Sequence, residues 1–443
     1  YVGAYDVRDT EQGSMIDAVH IKNQPGSAIK PFLYALAIEE GFRPNTVLPD
    51  IPLTFGAEHM YEPLNFNNAF HGPVRLRVAL ASSLNIPAVY TLNTVGIPRF
   101  EEFLIGLGFD SIREQRAGAG LGLALGNGEV TLFELTRAFS LFPRRGVPLT
   151  VTPVKRDAAA GSGQREENGR FVSRYTADII CDILQDDASR FLGFRDNPVF
   201  DLGFPVMFKT GTADQFQNIW AVAATPDYTV GIWMGNVSGE TVRGRTGSSL
   251  PARVAGELLK KVQTRNSKFP VPYNAKEVTI CTLSGMAPGP VCPGVRREYL
   301  QQGEHLQQCS FHYLRDGKME IALPPLYDQW KHRYMESSES AVFQNGRPFD
   351  MEKDFRIVYP RDGSVFYIDP AVPKDVQAVA VRAVGGDGGP VTVFVNGEMV
   401  DTVSPPHRWL FTLERGRWTV VMKTDREEAR VHFTVKGTRN DDD

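Results

Sequence analysis

Beyond Ser27, the apolar residues Ile29, Phe32, Leu33, Leu36 and Ala37 recur at helical spacing as far as Gly41, which predicts a helix with a buried face. A Pro- and Asn-rich stretch, residues 43–73, reads as a loop. Residues 74–92 repeat the helical pattern, with an interruption predicted near Pro87. Residues 176–184 are amphipathic, and Cys181 within them reads as a small buried apolar side chain. Residues 204–209, 220–224 and 228–234 are short apolar runs split by turn residues such as Pro226-Asp227, which predicts antiparallel strands. The polar residues 157–169 read as an exposed loop. Residues 1–265 therefore form one α/β (α+β) unit, a central antiparallel sheet flanked by helices.

From 266 to 351 the periodicity fades and Pro, Gly, Gln and Cys take over, as in a linker with little core of its own. Alternation returns at 355–359, 376–384, 391–395, 418–422 and 431–435, and Asn396-Gly397 supplies a tight hairpin turn. Short strands with no helix between them predict an all-β Ig-like sandwich over 352–437. Asp441 to Asp443 read as a solvated end.

Composition narrows the function classes. A chain of 443 residues is long enough for two or three domains, and 42% hydrophobic with 23% charged residues is ordinary for a globular protein. A net charge of -4 gives no reason to expect nucleic acid or an anionic membrane as the main partner. The sequence holds no apolar run of ~18 residues and no basic-then-apolar start. It opens without Met on Tyr1-Val2-Gly3-Ala4-Tyr5, which reads as mid-strand, so a targeting segment is expected upstream.

Three short motifs carry the chemistry: Ser27-Ala28-Ile29-Lys30, Ser83-Leu84-Asn85 and Lys209-Thr210-Gly211. A serine hydroxyl is a poor nucleophile until a base takes its proton. Lys30, three residues after Ser27 at a helix start, shares a face with it, and a second cation such as Lys209 together with burial would keep Lys30 neutral. Pro31 is tolerated in that first turn, and Ser27 lies at the positive helix end. Ser83 is placed to relay a proton and Asn85 to orient Lys30 and bond a substrate amide. Lys209 offers charge to a substrate carboxylate, while Thr210 and Thr212 offer hydroxyls. Gly211 lets the strand approach closely. The N–H groups of Ser27 and Thr212 are natural oxyanion donors, a kind of interaction worth ~3 kcal/mol each. Either of the first two motifs alone is ordinarily a cap or surface feature, and Lys209-Thr210-Gly211 alone is a stronger signal; the three in this order, on helix, helix and strand, point to one site.

This set of motifs resembles that of penicillin-binding proteins and class A β-lactamases. The resemblance to the transpeptidase domain of class A penicillin-binding proteins runs from residue 1 to about 260. It rests on Pro25-Gly26-Ser27-Ala28-Ile29-Lys30-Pro31-Phe32, Asp50-Ile51-Pro52, Tyr61-Glu62-Pro63-Leu64-Asn65-Phe66 and the run from Arg77 to Asn85. It continues through Phe208-Lys209-Thr210-Gly211-Thr212-Ala213, Trp220 and Val230 to Gly235. The tail resembles the Ig-like C-terminal domain of the C-type bifunctional members, which also carry a membrane anchor and a glycosyltransferase domain. Asn218 departs from the pattern, where relatives often carry Asp.

The resemblance implies a serine-transpeptidase/β-lactamase-like fold and cross-linking of peptidoglycan stem peptides through an acyl-Ser27 intermediate, at the periplasmic face of the inner membrane. Ser27, Lys30, Ser83, Asn85 and Lys209 would be catalytic, and Thr210, Gly211 and Thr212 would bind substrate, with no cofactor. β-Lactams would acylate Ser27, membrane attachment would come only through an upstream anchor, and cell-wall assembly proteins are possible partners. A β-lactamase needs a deacylating Glu. Glu62-Pro63-Leu64-Asn65 is one residue short of that segment and precedes Ser83, so Glu62 reads as structural. A D,D-carboxypeptidase, differing in its water acceptor, and a non-catalytic sensor or scaffold remain as alternatives.

Cys281, Cys292, Cys309 and His312 fall in the linker. A disulfide with a spare thiol, a structural zinc site and free thiols are all open, the secreted context favouring the disulfide. If one bridge forms, Cys292 with Cys309 is the expected pair, although sequence does not fix connectivity.

Overall fold

The computed structural model describes residues 1–4, 16–55, 61–66, 69–115, 119–152, 169–195, 197–213, 217–236, 250–331, 355–360, 362–368, 378–384, 389–404 and 407–437. Most of the predicted polar loop 157–169 and the terminal Asp441 to Asp443 lie outside them. Two units divide the chain, residues 1–338 and 339–443.

The α-helices of the first unit are α1 (Lys30–Glu39), α2 (Leu76–Ala81), α3 (Asn85–Val95), α4 (Ile97–Gly106), α5 (Asp110–Glu114), α6 (Leu132–Phe139), α7 (Arg174–Gln185), α8 (Phe191–Phe194), α9 (Leu250–Val262) and the single turn α10 (Asp328–Trp330). Its strands are β1 (Val47–Asp50), β2 (Gly72–Arg75), β3 (Met207–Thr212), β4 (Asn218–Ala224), β5 (Thr229–Gly235), β6 (Ala275–Cys281), β7 (Val295–Gln301), β8 (His312–Arg315) and β9 (Lys318–Ile321). The sheet β3-β4-β5 is antiparallel throughout, as predicted. Strand alternation gives it two apolar faces. Met207, Trp220, Val222 and Ala224 join the helical core around Phe32, Leu33 and Phe142, while Phe208, Ala221 and Ala223 meet Ala252, Ala255 and Leu259 of α9. Lys209 and Gly211 share the parity of Met207 and so face the helical core. Each fully buried Leu or Phe there contributes ~1.5–3 kcal/mol.

The helical pattern over 74–92 breaks earlier than predicted. α2 ends at Ala81, Ser83 is left-handed at φ 58°, and α3 begins at Asn85. Pro87 lies inside the first turn of α3, where its missing N–H has no helical partner to lose. The opening residues are not a strand either: Gly3 O accepts one bond from Ala18 N (2.8 Å), and no ladder forms over Tyr1–Ala4.

Residues 266–331 contain two antiparallel hairpins, β6–β7 and β8–β9. The β6–β7 hairpin packs on the rest of this unit through charge as well as apolar contact. Arg77 of α2, buried, gives Nε to both oxygens of the buried Glu298 on β7 (3.0 and 2.9 Å) and Nη1 to Asp186 (3.3 Å). Burial opposes the Arg77 charge, but Glu298 and Asp182 outweigh it and hold the guanidinium protonated. None of the four cysteines is in a disulfide, and Cys181 is buried as expected. The expected Cys292–Cys309 bridge is therefore corrected: the His312 imidazole sits against both sulfurs and that of Cys281.

The second unit comprises β10 (Arg356–Tyr359), β11 (Ser364–Tyr367), β12 (Ala378–Val384), β13 (Val391–Val395), β14 (Glu398–Val403), β15 (Arg408–Thr412), β16 (Gly416–Lys423) and β17 (Glu428–Lys436). They form sheets β10-β12-β15 and β11-β17-β16-β13-β14. Val381 and Phe411 from the first sheet share one core with Val393, Val420, Val431 and Phe433 from the second, a β-sandwich. Asn396 (φ 49°) and Gly397 (φ 92°) both take positive φ in the β13–β14 hairpin, as the turn signal predicts. Among the described residues no helix is long and apolar enough to cross a membrane.

Candidate active site

Ser27 sits in a 3₁₀ turn, Gly26–Ile29, that runs directly into α1. That turn is seated on β3 by two glycines. Gly26 has φ +55°, and a Cβ on it would lie 2.5 Å from Thr212 O; a Cβ on Gly211 would lie 2.0 Å from Pro25 O. Backbone thus packs on backbone, which no larger residue at either position permits. Trp220 of β4, fully buried, donates Nε1–H to Gln24 O (2.8 Å) and anchors the chain entering the turn.

Ser83 and Asn85 meet this turn from the α2–α3 break. Ser82 Oγ donates to Ser189 O (2.7 Å), and a Cβ on Gly193 of α8 would come within 2.0 Å of Ser82 O, so the segment around α8 presses the break into place. The strained Ser83 backbone is the kind that concentrates at functional sites. Its hydroxyl accepts from Lys209 Nζ (2.8 Å), while its carbonyl accepts from Lys30 Nζ (2.8 Å). One residue therefore ties both lysines together. Lys30 Nζ also donates to Leu84 O (3.0 Å) and Asn85 Oδ1 (2.7 Å). Three acceptors match the three hydrogens of an ammonium, so a neutral Lys30 releases one of them and frees a lone pair.

Burial decides the charges. Lys30 is fully buried, and desolvation first, then the nearby Lys209, push its pKa well below 10.5. Desolvation, then Arg190, lowers Lys209 to about 7. Arg190 is itself buried, stacked over the Phe200 ring at 4.7 Å and paired with Asp187. Sequence reading passes over Arg190, which lies in no motif and reaches Lys209 only through the fold.

Asn65 and Asp50 were likewise not among the candidate site residues. Asn85 N–H donates to Asn65 Oδ1 (2.8 Å), and Asn65 Nδ2 donates to the buried Asp50 (2.7 Å). Asn85 Nδ2 donates to Leu64 O (2.8 Å), which turns its oxygen toward Lys30. A signal existed: Leu84 occupies the N-cap of α3 and offers no capping oxygen, so the orphan N–H needs a distant partner.

The structure joins Lys30, Ser83, Asn85 and Lys209 directly, and Gly211 seats the turn that carries Ser27. Strand alternation points Thr210 and Thr212 to the face opposite Lys209, leaving the Thr212 backbone beside Gly26. Glu62 is exposed and accepts from Thr54 (2.9 Å). Asn218, the departure from the familiar pattern, accepts from Trp233 Nε1 (2.9 Å) and so braces β5 against β4.

The profile of the penicillin binding protein transpeptidase domain matches residues 4–260. The chain belongs to this transpeptidase family. The profile of the penicillin-binding protein C-terminus family matches residues 345–427. Penicillin-binding protein 1C of Escherichia coli (strain K12) is 29% identical over 305 residues, covering 65% of this chain and 36% of that protein. Penicillin-binding protein 1F of Bacillus subtilis (strain 168) is 29% identical over 266 residues, covering 58% of this chain and 36% of that one. This chain thus spans about a third of the length of these relatives. The crystal structure of penicillin-binding protein 1A from Haemophilus influenzae superposes with a TM-score of 0.57 at 25% identity, covering 67% of this chain and 51% of that one. The fold of the penicillin-binding protein PonA1 from Mycobacterium tuberculosis is also shared, with a TM-score of 0.51 at 20% identity over 66% of this chain and 79% of that one.

Proposed function

We propose that the chain carries a serine D,D-transpeptidase site that cross-links peptidoglycan stem peptides and is acylated by β-lactams. The observation that supports this most is the Lys30–Ser83–Lys209 network built beside the Ser27 turn. Neutral Lys30 takes the Ser27 hydroxyl proton as Oγ bonds to the penultimate D-Ala carbonyl carbon. The N–H groups of Ser27 and Thr212 hold the oxyanion, and charged Lys209 holds the substrate carboxylate. The amide C–N bond then breaks, and the proton passes from Lys30 through Ser83 to the departing D-Ala amine. An amine from a neighbouring stem attacks the ester, its proton returns to Ser27, and a new amide replaces the ester. In a β-lactam the broken amide lies in the ring, so the leaving amine stays tethered and the acyl-enzyme persists. Glu62 is exposed and its carboxylate accepts from Thr54, a surface role that argues against a β-lactamase. Such a site belongs at the extracytoplasmic, periplasmic face of the membrane, where peptidoglycan and cell-wall assembly partners lie.

Intact-protein mass spectrometry after benzylpenicillin, with Ser27→Ala as control, tests the reading. A persistent adduct on the parent alone supports it, and rapid drug turnover without adduct favours a β-lactamase. A folded parent with neither adduct nor turnover overturns an active acyl-serine site. Incubation with a stem pentapeptide and an amine acceptor then separates transfer from the carboxypeptidase's hydrolysis.

A further inference from the structure

Outside the catalytic network, the densest cluster of metal-binding side chains lies in the paired hairpins. Cys281 is the last residue of β6, Cys292 lies in the β6–β7 connection, Cys309 precedes β8, and His312 opens it. Their ligand atoms all lie within 4.8 Å of one another. His312 Nδ1 stands 3.5 Å from Cys281 Sγ, 3.5 Å from Cys292 Sγ and 3.4 Å from Cys309 Sγ.

We propose that Cys281, Cys292, Cys309 and His312 form a structural zinc site. One imidazole nitrogen has a single lone pair or a single hydrogen, so it cannot hydrogen-bond three sulfurs equally well. Three near-equal contacts are what a shared central ion produces. With Zn–S about 2.3 Å and Zn–N about 2.0–2.1 Å, a tetrahedron separates sulfur from nitrogen by about 3.5–3.6 Å, which the observed 3.4–3.5 Å matches. Three soft thiolates and an imidazole suit zinc better than magnesium or calcium. Four protein ligands close the shell, so the ion is structural rather than catalytic.

The surroundings are prepared for thiolates. Gly289 N–H donates to Cys292 Sγ (3.2 Å), and the Ser284 hydroxyl donates to Cys309 Sγ (3.2 Å). Zinc on Nδ1 leaves the imidazole proton on Nε2, which is buried and has no partner among the described residues. The hairpins bury little else, chiefly Ile280, Leu300 and Phe311, so an ion takes the place of a core. What it fixes is the loop after Cys281. There Thr282 O accepts from Arg75 Nε (3.2 Å) and Gly285 O from Asn45 Nδ2 (2.7 Å). These residues flank β1 and β2, which lead into α2 and Ser83.

The test uses the full chain purified without chelator. Elemental analysis should find one zinc per chain, and a mercurial should release it as the three hairpin thiols react. Cobalt substitution should give the visible ligand-field and near-ultraviolet thiolate-to-cobalt bands of a tetrahedral thiolate-rich site. Cys309→Ser should lose the metal, and His312→Cys should keep it. Should Cys309→Ser misfold, the cobalt spectrum of the parent and metal retention by His312→Cys still decide the matter. Folded chain without metal, with either freely reactive thiols or an oxidised cysteine pair, overturns the proposal.

Discussion

Gly211→Ala is the sharpest probe of the seat beneath the proposed nucleophile, Ser27. The φ of Gly211 is not left-handed, so alanine strains nothing by conformation. Its cost is contact alone. The added Cβ would stand 2.0 Å from Pro25 O and 3.1 Å from the Ala28 Cβ, whereas real Cβ atoms essentially never come under 3.0 Å. Both partners are held: Pro25 by the turn and by Trp220 on Gln24, Gly211 by its pairing with Trp220 across β3–β4. Turn and strand must therefore part by about 1 Å, because a packed interior has no slack to absorb the overlap. Overpacking of this kind costs ~1–3 kcal/mol of stability, and a displacement of about 1 Å at reacting groups costs roughly 10²-fold in rate. The assay is the second-order rate of acylation by a fluorescent penicillin, measured beside a urea melt on the same preparation. Acylation within about threefold of the parent, with an unchanged melt, would refute the claim that β3 is seated on the Ser27 turn.

The remaining predictions concern charge. In the proposed mechanism acylation needs Lys30 neutral and Lys209 charged. Its rate should fall as pH passes about 7 and Lys209 loses its proton, and an acid limb should report deprotonation of Lys30, whose proton affinity burial and Lys209 depress. Lys209→Arg, which cannot deprotonate in this range, should abolish the alkaline fall and keep the acid limb; a parent profile flat through pH 7 would sink this assignment. Arg77→Met should cost about 3–5 kcal/mol in chemical denaturation, nearer the lower figure because Arg75 lies 3.6 Å from the stranded Glu298. Pairing it with Glu298→Leu should recover most of that loss. A single-variant cost below about 1 kcal/mol would show that the ion pair does not hold β7 to α2.

Much of the architecture was legible because it is written between near neighbours. The alternation in 204–234 reports which face each side chain takes two positions on, and Asn396-Gly397 can adopt the positive φ values its turn requires. The Ser27, Ser83 and Lys209 motifs were visible for the same reason, as short strings. β7 was not legible: its inward positions are Glu298 and Leu300, and a charge on the buried face erases the period-two signal. β14 lies at a sheet edge with Met399 and Val400 exposed, so burial never shaped its pattern.

The sequence by itself determined the local elements and the candidate reacting groups. Tertiary structure decided what those groups became. Asn65 reaches Asn85 across 20 positions, Lys30 reaches Asn85 across 55, Lys209 reaches Ser83 across 126, and Arg77 reaches Glu298 across 221. The depressed lysines, the buried Arg190 and the convergence of three thiols on His312 likewise exist only once the chain path is set. The physical reason is that periodicity and turn preference act through adjacent backbone, whereas desolvation and Coulomb coupling depend on distances that only the completed fold defines.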